Sequence, residues 1–447
     1  MRCIMRRWVA ASLVAGGAMA AEAAPDNSLR PAQRPEAIKQ EAQDESYQLA
    51  SAATAMRPAA RPAAPKAVQP EPAAAELNFQ GWINGFQDRA LAQGISAPVL
   101  ESAFSGVSYD PEVIRRDRNQ SEFTKTIWEY LDSAASELRV KNGKAALRQH
   151  QARLEQIEAK YGVEKEIVVA VWGLESSYGT FRGKMDVIRS LATLAFDGRR
   201  GAFFESQLVA ALKILQAGDV AARKMTGSWA GAMGHTQFIP TSYLDYAVDF
   251  TGDGKRDIWS DNPADALAST AAYLKQFGWV KGQPWGVEVA LPKGFDYTLA
   301  DREIEKLPSE WAALGIKELD GRAVRDHGKA SILLPAGSAG AAFMIFQNFA
   351  VLERYNTADA YVIGVGHLAD RIKGGAPIQG SWPRSDRALT RSEREELQQR
   401  LTSAGFDTEG VDGRIGPKTI GAVRAYQVAR GLTPDGYASP RLLQRLR

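Results

Sequence analysis

The sequence predicts a mainly α-helical chain of α+β class, with a small β-sheet placed late and a compact helical unit at the C-terminus. Three observations predict it. From Leu77 to about Val280, apolar residues recur at helical spacing. After Trp285 the pattern changes to short apolar runs at 287–291, 331–334 and 342–346, bounded by Gly and Pro as strands are. Near the end, two Asp-Gly turns, Asp412-Gly413 and Asp435-Gly436, separate three amphipathic stretches.

Taken in order, the chain opens with Arg2, Arg6 and Arg7, a short apolar stretch over 8–20, and the small-x-small patterns Ala18-Met19-Ala20 and Ala21-Glu22-Ala23. This three-part pattern predicts a secretory signal peptide over 1–23, too short for a membrane-spanning helix. The lone Cys3 precedes the apolar run, so no lipid-modified cysteine is expected, and the processed chain has no thiol for disulfides. Residues 24–76, with Pro58, Pro62, Pro65, Pro70 and Pro72 among alanines, read as a stiff disordered spacer or plain low-complexity filler. Phe79, Trp82, Ile83 and Phe86 then open the helical region, which includes expected helices over 124–141, 143–161, 164–176 and 264–276. Helical spacing returns at 358–372 after the strands. The expected domains are therefore 77–375, a linker at 376–385, and a last unit over 386–447.

Composition narrows the function classes. The chain has 447 residues, 45% apolar and 24% charged, as soluble globular proteins do. Its 55 basic and 52 acidic side chains leave a net charge of +3, which gives no basic field for nucleic acid. No later stretch approaches the roughly 20 apolar residues of a membrane span.

Two segments could carry chemistry. In 164–180, Val168, Val171, Trp172 and Glu175 share one helical face, and Gly179 reads as the stop. Burial and the negative helix end both disfavour an ionised Glu175, so it is either a general acid or an ordinary rim glutamate. In 227–243, small residues allow close backbone approach. There Ser228 and Gln237 offer hydrogen bonds, and Trp229 and Tyr243 offer flat faces for sugar rings. The alternative is a tight packing turn. A third segment, Asp249-Phe-Thr251-Gly-Asp253-Gly254-Lys255, matches the start of an EF-hand calcium loop, but Ser260 stands where a Glu is expected. The alternative is an acidic, Gly-rich turn that binds nothing.

The motifs Gly173-Leu-Glu-Ser-Ser-Tyr-Gly179 and Gly231-Ala-Met-Gly-His-Thr-Gln-Phe-Ile-Pro240, in this order and spacing, closely resemble the B-type lytic transglycosylases of glycoside hydrolase family 103. The similarity covers most of 77–375. It implies a lysozyme-like, mainly helical domain with a small sheet, and a single catalytic carboxylate at Glu175. It further implies substrate contacts at Ser228, Gln237, Arg199, Arg200, Tyr178, Tyr273, Tyr355, Asn356 and Tyr361. For the third segment it implies a longer calcium loop with ligands Asp249, Thr251, Asp253, the Lys255 carbonyl and Asp265, the ion being structural, with no cofactor required for the chemistry. The last unit, with Leu397, Gly405-Phe406, Asp412-Gly413-Arg414-Ile415-Gly416, Tyr426-Gln427 and Asp435-Gly436, resembles the three-helix peptidoglycan-binding domain type 1. The turns alone would give a small helical bundle for any partner.

The expectation is a monomeric, soluble periplasmic lyase that cuts peptidoglycan glycan strands to 1,6-anhydro ends. Any protein partners would come from cell-wall synthesis or division. The competing readings are a hydrolytic muramidase using Glu175 with Asp186 or Asp197, and a non-catalytic wall-binding protein. The four histidines are scattered and form no metal pattern.

Overall fold

The computed structural model describes residues 72–118 and 125–447. The expected signal peptide, and the expected spacer up to 71, lie outside the described residues. Helix α1 (Pro72–Ala92) starts slightly ahead of the expected onset. It is followed by α2 (Ala97–Phe104), α3 (Pro111–Arg118), α4 (Ile127–Ala134), α5 (Glu137–Gln149), α6 (Gln151–Tyr161) and α7 (Lys165–Ser176). The expected helix over 124–141 is thus two helices. Thr126 and Glu129 form a capping box that starts α4, and the Ser136 side chain accepts the Arg139 N–H to start α5. Serine and threonine offer the backbone these local partners, which is how they end one helix and open another.

The ribbon of β1 (Met185–Asp186) and β2 (Thr226–Gly227) brackets α8 (Val187–Asp197) and α9 (Gly201–Ala217). Next come α10 (Pro240–Tyr246) and α11 (Ala264–Gln276). The antiparallel sheet holds β3 (Gly286–Ala290), β4 (Lys317–Glu318), β5 (Ser331–Leu333) and β6 (Ala342–Ile345) in the order β4-β3-β6-β5, with the short α12 (Pro308–Ala313) packed beside it. The β1–β2 ribbon and β4 are too short to show in the sequence pattern. Along β6 the strand period sorts side chains between two cores. Phe343 and Ile345 join the large helical core, whereas Ala342, Met344 and Phe346 join a second core around Trp311. The sheet therefore covers one side of the helical domain and carries its own cap.

Helices α13 (Gln347–Tyr355) and α14 (Asp359–Lys373) return to the helical core. The segment expected to be a linker lies against that domain. The Gln379 and Gly380 N–H groups donate to Glu288, Arg384 pairs with Asp132, and Trp382 lies 6.3 Å from Trp128. The last unit is α15 (Arg391–Ser403), α16 (Pro417–Ala429) and α17 (Pro440–Leu446) around a core of its own. Its two Asp-Gly turns are each held by a buried glutamine. Gln398 accepts the Asp412 and Gly413 N–H groups, and Gln427 accepts that of Gly436. Among the described residues, no helix is long and apolar enough to cross a membrane.

Gly366 on α14 is where the Trp285 indole packs, and a Cβ there would stand 2.4 Å from the ring. Gly366→Ala gains about 1 kcal/mol of helix propensity. Overpacking costs about 1–3 kcal/mol. A lower urea midpoint is expected; a higher one would show that the indole has room to move.

Candidate active site

Helix α7 explains the site. Its apolar residues cover every side rather than one face, and all ten residues from Ile167 to Ser176 are buried. A helix hydrophobic all round belongs in a core. Here α5, α6, α11 and α14 surround it. The helix ends where Ser177 and Tyr178 turn left-handed, at φ 48° and 59°. The described residues contain only four non-glycine positions with positive φ; the others are Gln237 in the second motif and Glu409. Such strain costs roughly 1–3 kcal/mol per residue and persists where surrounding contacts enforce it. One such contact is the Ser176 hydroxyl, which donates to the His235 carbonyl and accepts the Gly179 N–H, tying the two motifs together.

Glu175, at the last turn, is 4% exposed. Burial pushes its carboxyl up to about 8, and a hydrogen bond from the Tyr361 hydroxyl to Oε1, at 2.6 Å, offsets part of that rise. The group is therefore largely protonated at neutral pH, the state a general acid requires. No neighbouring carboxylate contributes to the shift. With Oε1 occupied by Tyr361, the acidic proton is left for Oε2. Tyr355 and Tyr130 also face Glu175, and both hydroxyls are raised above the usual phenol range, by burial first and then by the Glu175 charge.

Three buried polar atoms of the nearby segments have no hydrogen-bond partner: Tyr130 Oη, Thr236 Oγ1 and Asn356 Nδ2. Buried polar groups are otherwise almost always paired, so these are groups a bound hydroxyl or acetamide can satisfy. Neither Tyr130 nor Thr236 was foreseen. Tyr130 lies in Trp128-Glu-Tyr130-Leu131, a pattern indistinguishable from a core helix face.

The other expected residues divide. Tyr355 donates to the Thr236 carbonyl, and Tyr273 to that of Arg354; their rings lie 5.1 Å apart, with Phe238 of the second motif 5.9 Å from each. Asn356 follows Tyr355 and is buried, its Oδ1 accepting the Ala358 N–H. Tyr361 and Tyr355 are thus brought to Glu175 or its motif partners, and Asn356 is the residue that follows Tyr355. Ser228 and Gln237 hold the loop's shape: Ser228 Oγ accepts the Ala232 N–H, and Gln237 Nε2 donates to the Gly234 and Arg182 carbonyls. Tyr178 is wedged between α5 and α7, its hydroxyl donating to the Arg139 carbonyl. Arg199 and Arg200 both pair with the buried Asp117, at 2.8 and 2.7 Å. Trp229 and Tyr243, expected as open faces for sugar rings, are 4% and 0% exposed. Both are core residues, and the Tyr243 hydroxyl donates to the Arg256 carbonyl.

In the third segment, Asp249, Asp253 and Asp265 each bring one carboxylate oxygen within 4.8 Å of the others. Asp265 accepts the Phe250, Thr251 and Asp257 N–H groups, and Asp249 those of Gly252, Asp253 and Gly254. Thr251 Oγ1 lies 3.4 Å from Asp249 Oδ1. An all-oxygen set on a preformed loop suits a hard divalent cation such as calcium.

Comparison with known proteins agrees with this architecture. Residues 78–370 match the family described as a transglycosylase SLT domain, and residues 390–446 match a peptidoglycan binding domain. The chain is 34% identical over 242 residues to membrane-bound lytic murein transglycosylase B of Escherichia coli (strain K12), which covers 52% of this chain and 63% of that protein, a little under two thirds of its length. Among solved structures, SltB3 of Pseudomonas aeruginosa in complex with NAG-anhNAM-pentapeptide is 52% identical, with TM-score 0.80, covering 83% of this chain and 99% of that one. The Escherichia coli lytic transglycosylase Slt35 in complex with calcium is 29% identical, with TM-score 0.56, covering 69% and 98%.

Two measurements test the electrostatics. Tyr361→Phe removes a hydrogen bond that favours the ionised form, so the Glu175 pKa should rise by about one to two units. Titration of labelled glutamate by carbon NMR would read it, and an unmoved value would refute the contact. The native state also keeps a proton that the unfolded chain, with its carboxyl at 4.5, has lost between there and about 8. Stability from Glu175 is thus present at acid pH and lost as pH rises through about 8. Glu175→Gln should therefore gain in melting temperature over the parent between about pH 5 and about pH 8.5.

Proposed function

Given that the chain belongs to the transglycosylase SLT domain family, we propose that it cleaves the bond between N-acetylmuramic acid and N-acetylglucosamine in peptidoglycan and leaves 1,6-anhydro ends. The observation that carries this reading is a buried Glu175 that accepts a hydrogen bond from Tyr361, with burial pushing its carboxyl up to about 8 and no second carboxylate acting on it. Glu175 donates its proton to the glycosidic oxygen as the bond to the anomeric carbon breaks. The substrate's own acetamido group meets the developing positive charge, as in substrate-assisted glycosidases. The ionised Glu175 then takes the proton of the muramic C6 hydroxyl while that oxygen closes on the anomeric carbon. Glu175 ends as it began and no water is consumed. An intramolecular nucleophile carries the proximity advantage that water lacks.

The hydrolytic reading has less support. Asp186 caps α8 through the Arg189 N–H, and Asp197 pairs with Arg118. The C-terminal unit is read as the wall-binding module, and the N-terminal pattern as the signal that sends the enzyme to the periplasm. Asp249, Thr251, Asp253, Asp265 and the Lys255 carbonyl would hold a calcium ion that braces the 249–265 loop and takes no part in the chemistry.

Glu175→Gln should lower release of anhydro-muropeptides from isolated sacculi by about 100-fold or more while sacculus binding persists. Mass spectrometry decides the reaction class, since reducing-end products, one water heavier, would sink the lyase reading. For the metal, Asp265→Asn should abolish the calcium-dependent rise in melting temperature; no response to calcium in the parent protein would argue against an ion there.

A further inference from the structure

Arg302 lies in the irregular stretch between β3 and α12. Its guanidinium reaches two carboxylates, Glu353 through one terminal nitrogen and Asp359 through the other, and lies over the Phe349 ring at 5.1 Å. Glu353 is two residues before Tyr355 on α13. Asp359 is two residues before Tyr361 on α14. One planar fork therefore bridges the two sides of the turn that presents Tyr355, Asn356 and Tyr361. The next link comes from the neighbours of Arg302 in the chain. Asp301 and the Ala300 carbonyl are held by Arg424 of α16, at 2.9 and 2.6 Å. A second contact steadies the same interface, where Asp435 accepts the Ser338 N–H and hydroxyl at 2.9 and 3.0 Å.

We infer that Arg302 is a positioning residue for the Glu175–Tyr361 pair, and that Arg424 couples the seating of the C-terminal bundle to it. The inference rests on the lyase reading of Glu175. The physical case is that Glu353 and Asp359 repel each other unless a cation sits between them. A planar fork donates to both at once in a fixed geometry, whereas an ammonium on a flexible stem bridges two carboxylates without fixing their spacing. The Tyr361 hydrogen bond, at 2.6 Å, fails if the turn opens by an ångström. The groups facing Glu175 are Tyr130 from α4, Tyr355 from α13 and Tyr361 from α14, with Arg139 of α5 the cation that acts on Tyr130. None of these is altered by substitution at 302 or 424.

The test compares the full chain with Arg302→Met, Arg302→Lys and Arg424→Gln, following anhydro-muropeptide release against pH and substrate concentration. Arg302→Met should lower kcat by about 10-fold or more with little change in KM. It should also move the alkaline limb upward, the direction expected for Tyr361→Phe. Arg302→Lys should restore both quantities only in part, and Arg424→Gln should move both the same way by less. A parent-like limb and kcat in Arg302→Met and Arg424→Gln would overturn the inference, as would a lowered melting temperature with an unmoved limb. If Arg302→Met does not fold, Arg424→Gln decides, and a parent-like profile there overturns the coupling. If the parent releases no anhydro product, the lyase reading fails. The Glu175 pKa measured by carbon NMR in parent and variants then still tests the positioning, an unchanged value overturning it.

Discussion

A carboxyl group at the end of a helix enclosed by its own domain is the constraint on which the rest of the structure depends. Burial of Glu175 pushes its carboxyl up, and the helices packed around α7 maintain that burial. The approach is close because small residues permit it. A Cβ at Gly364 of α14 would stand 3.0 Å from the Tyr130 ring, and one at Gly173 would meet the Tyr178 ring at 2.6 Å. Gly364 thereby admits Tyr130, which faces the carboxyl, and Gly173 admits Tyr178, which braces α7 against α5. Tyr361 supplies a hydrogen bond that tempers the shift, so that the group can both give and regain a proton near neutral pH.

The second motif holds the end of that helix in place. His235 accepts the Trp172 indole N–H on Nδ1 at 3.1 Å, and its Nε2 lies 2.7 Å from the Ser260 carbonyl. That pairing requires the proton on Nε2. Burial keeps the ring neutral by pulling it down to about 4. Trp172 is one turn before Glu175, so a single neutral imidazole ties the acid's helix to the later part of the 249–265 loop. The left-handed residues at 177, 178 and 237 are held by this interlocking rather than by their own preference.

Much of this was legible in the sequence, for reasons that differ by residue. Helix α11 matches the expected 264–276, because a long periodic run with an acidic start and a basic end leaves little ambiguity. The strands β3, β5 and β6 emerge within a residue or two of their apolar runs. The periodicity placed Glu175 on an apolar face but left a rim glutamate open, and its enclosure on all sides was not legible, since a single face is all that periodicity reports. Trp229 and Tyr243 were misread because an aromatic in a glycine-rich stretch looks the same whether it faces a cleft or fills the core. Tyr130, Thr236 and Asp117 were invisible because their roles arise from pairings across 45 residues or more, which no local pattern encodes.

The sheet then acquires a purpose beyond covering the helical core. Its inner side chains, Phe343 and Ile345, and the Trp285 indole against Gly366 fix it to α14, the helix that carries Tyr361. The loops around it, at Ala300-Asp301 and Ser338, receive the C-terminal bundle. Asp435 shows how that surface is made: one oxygen accepts Gln427 within the bundle at 2.7 Å, and the other accepts Ser338 of the sheet's loop. The carboxylate that shapes the bundle's own Asp-Gly turn is thus also its contact with the catalytic domain. The bundle's orientation on the sheet's loop is therefore set in part by the same half-buried carboxylate that shapes its own turn.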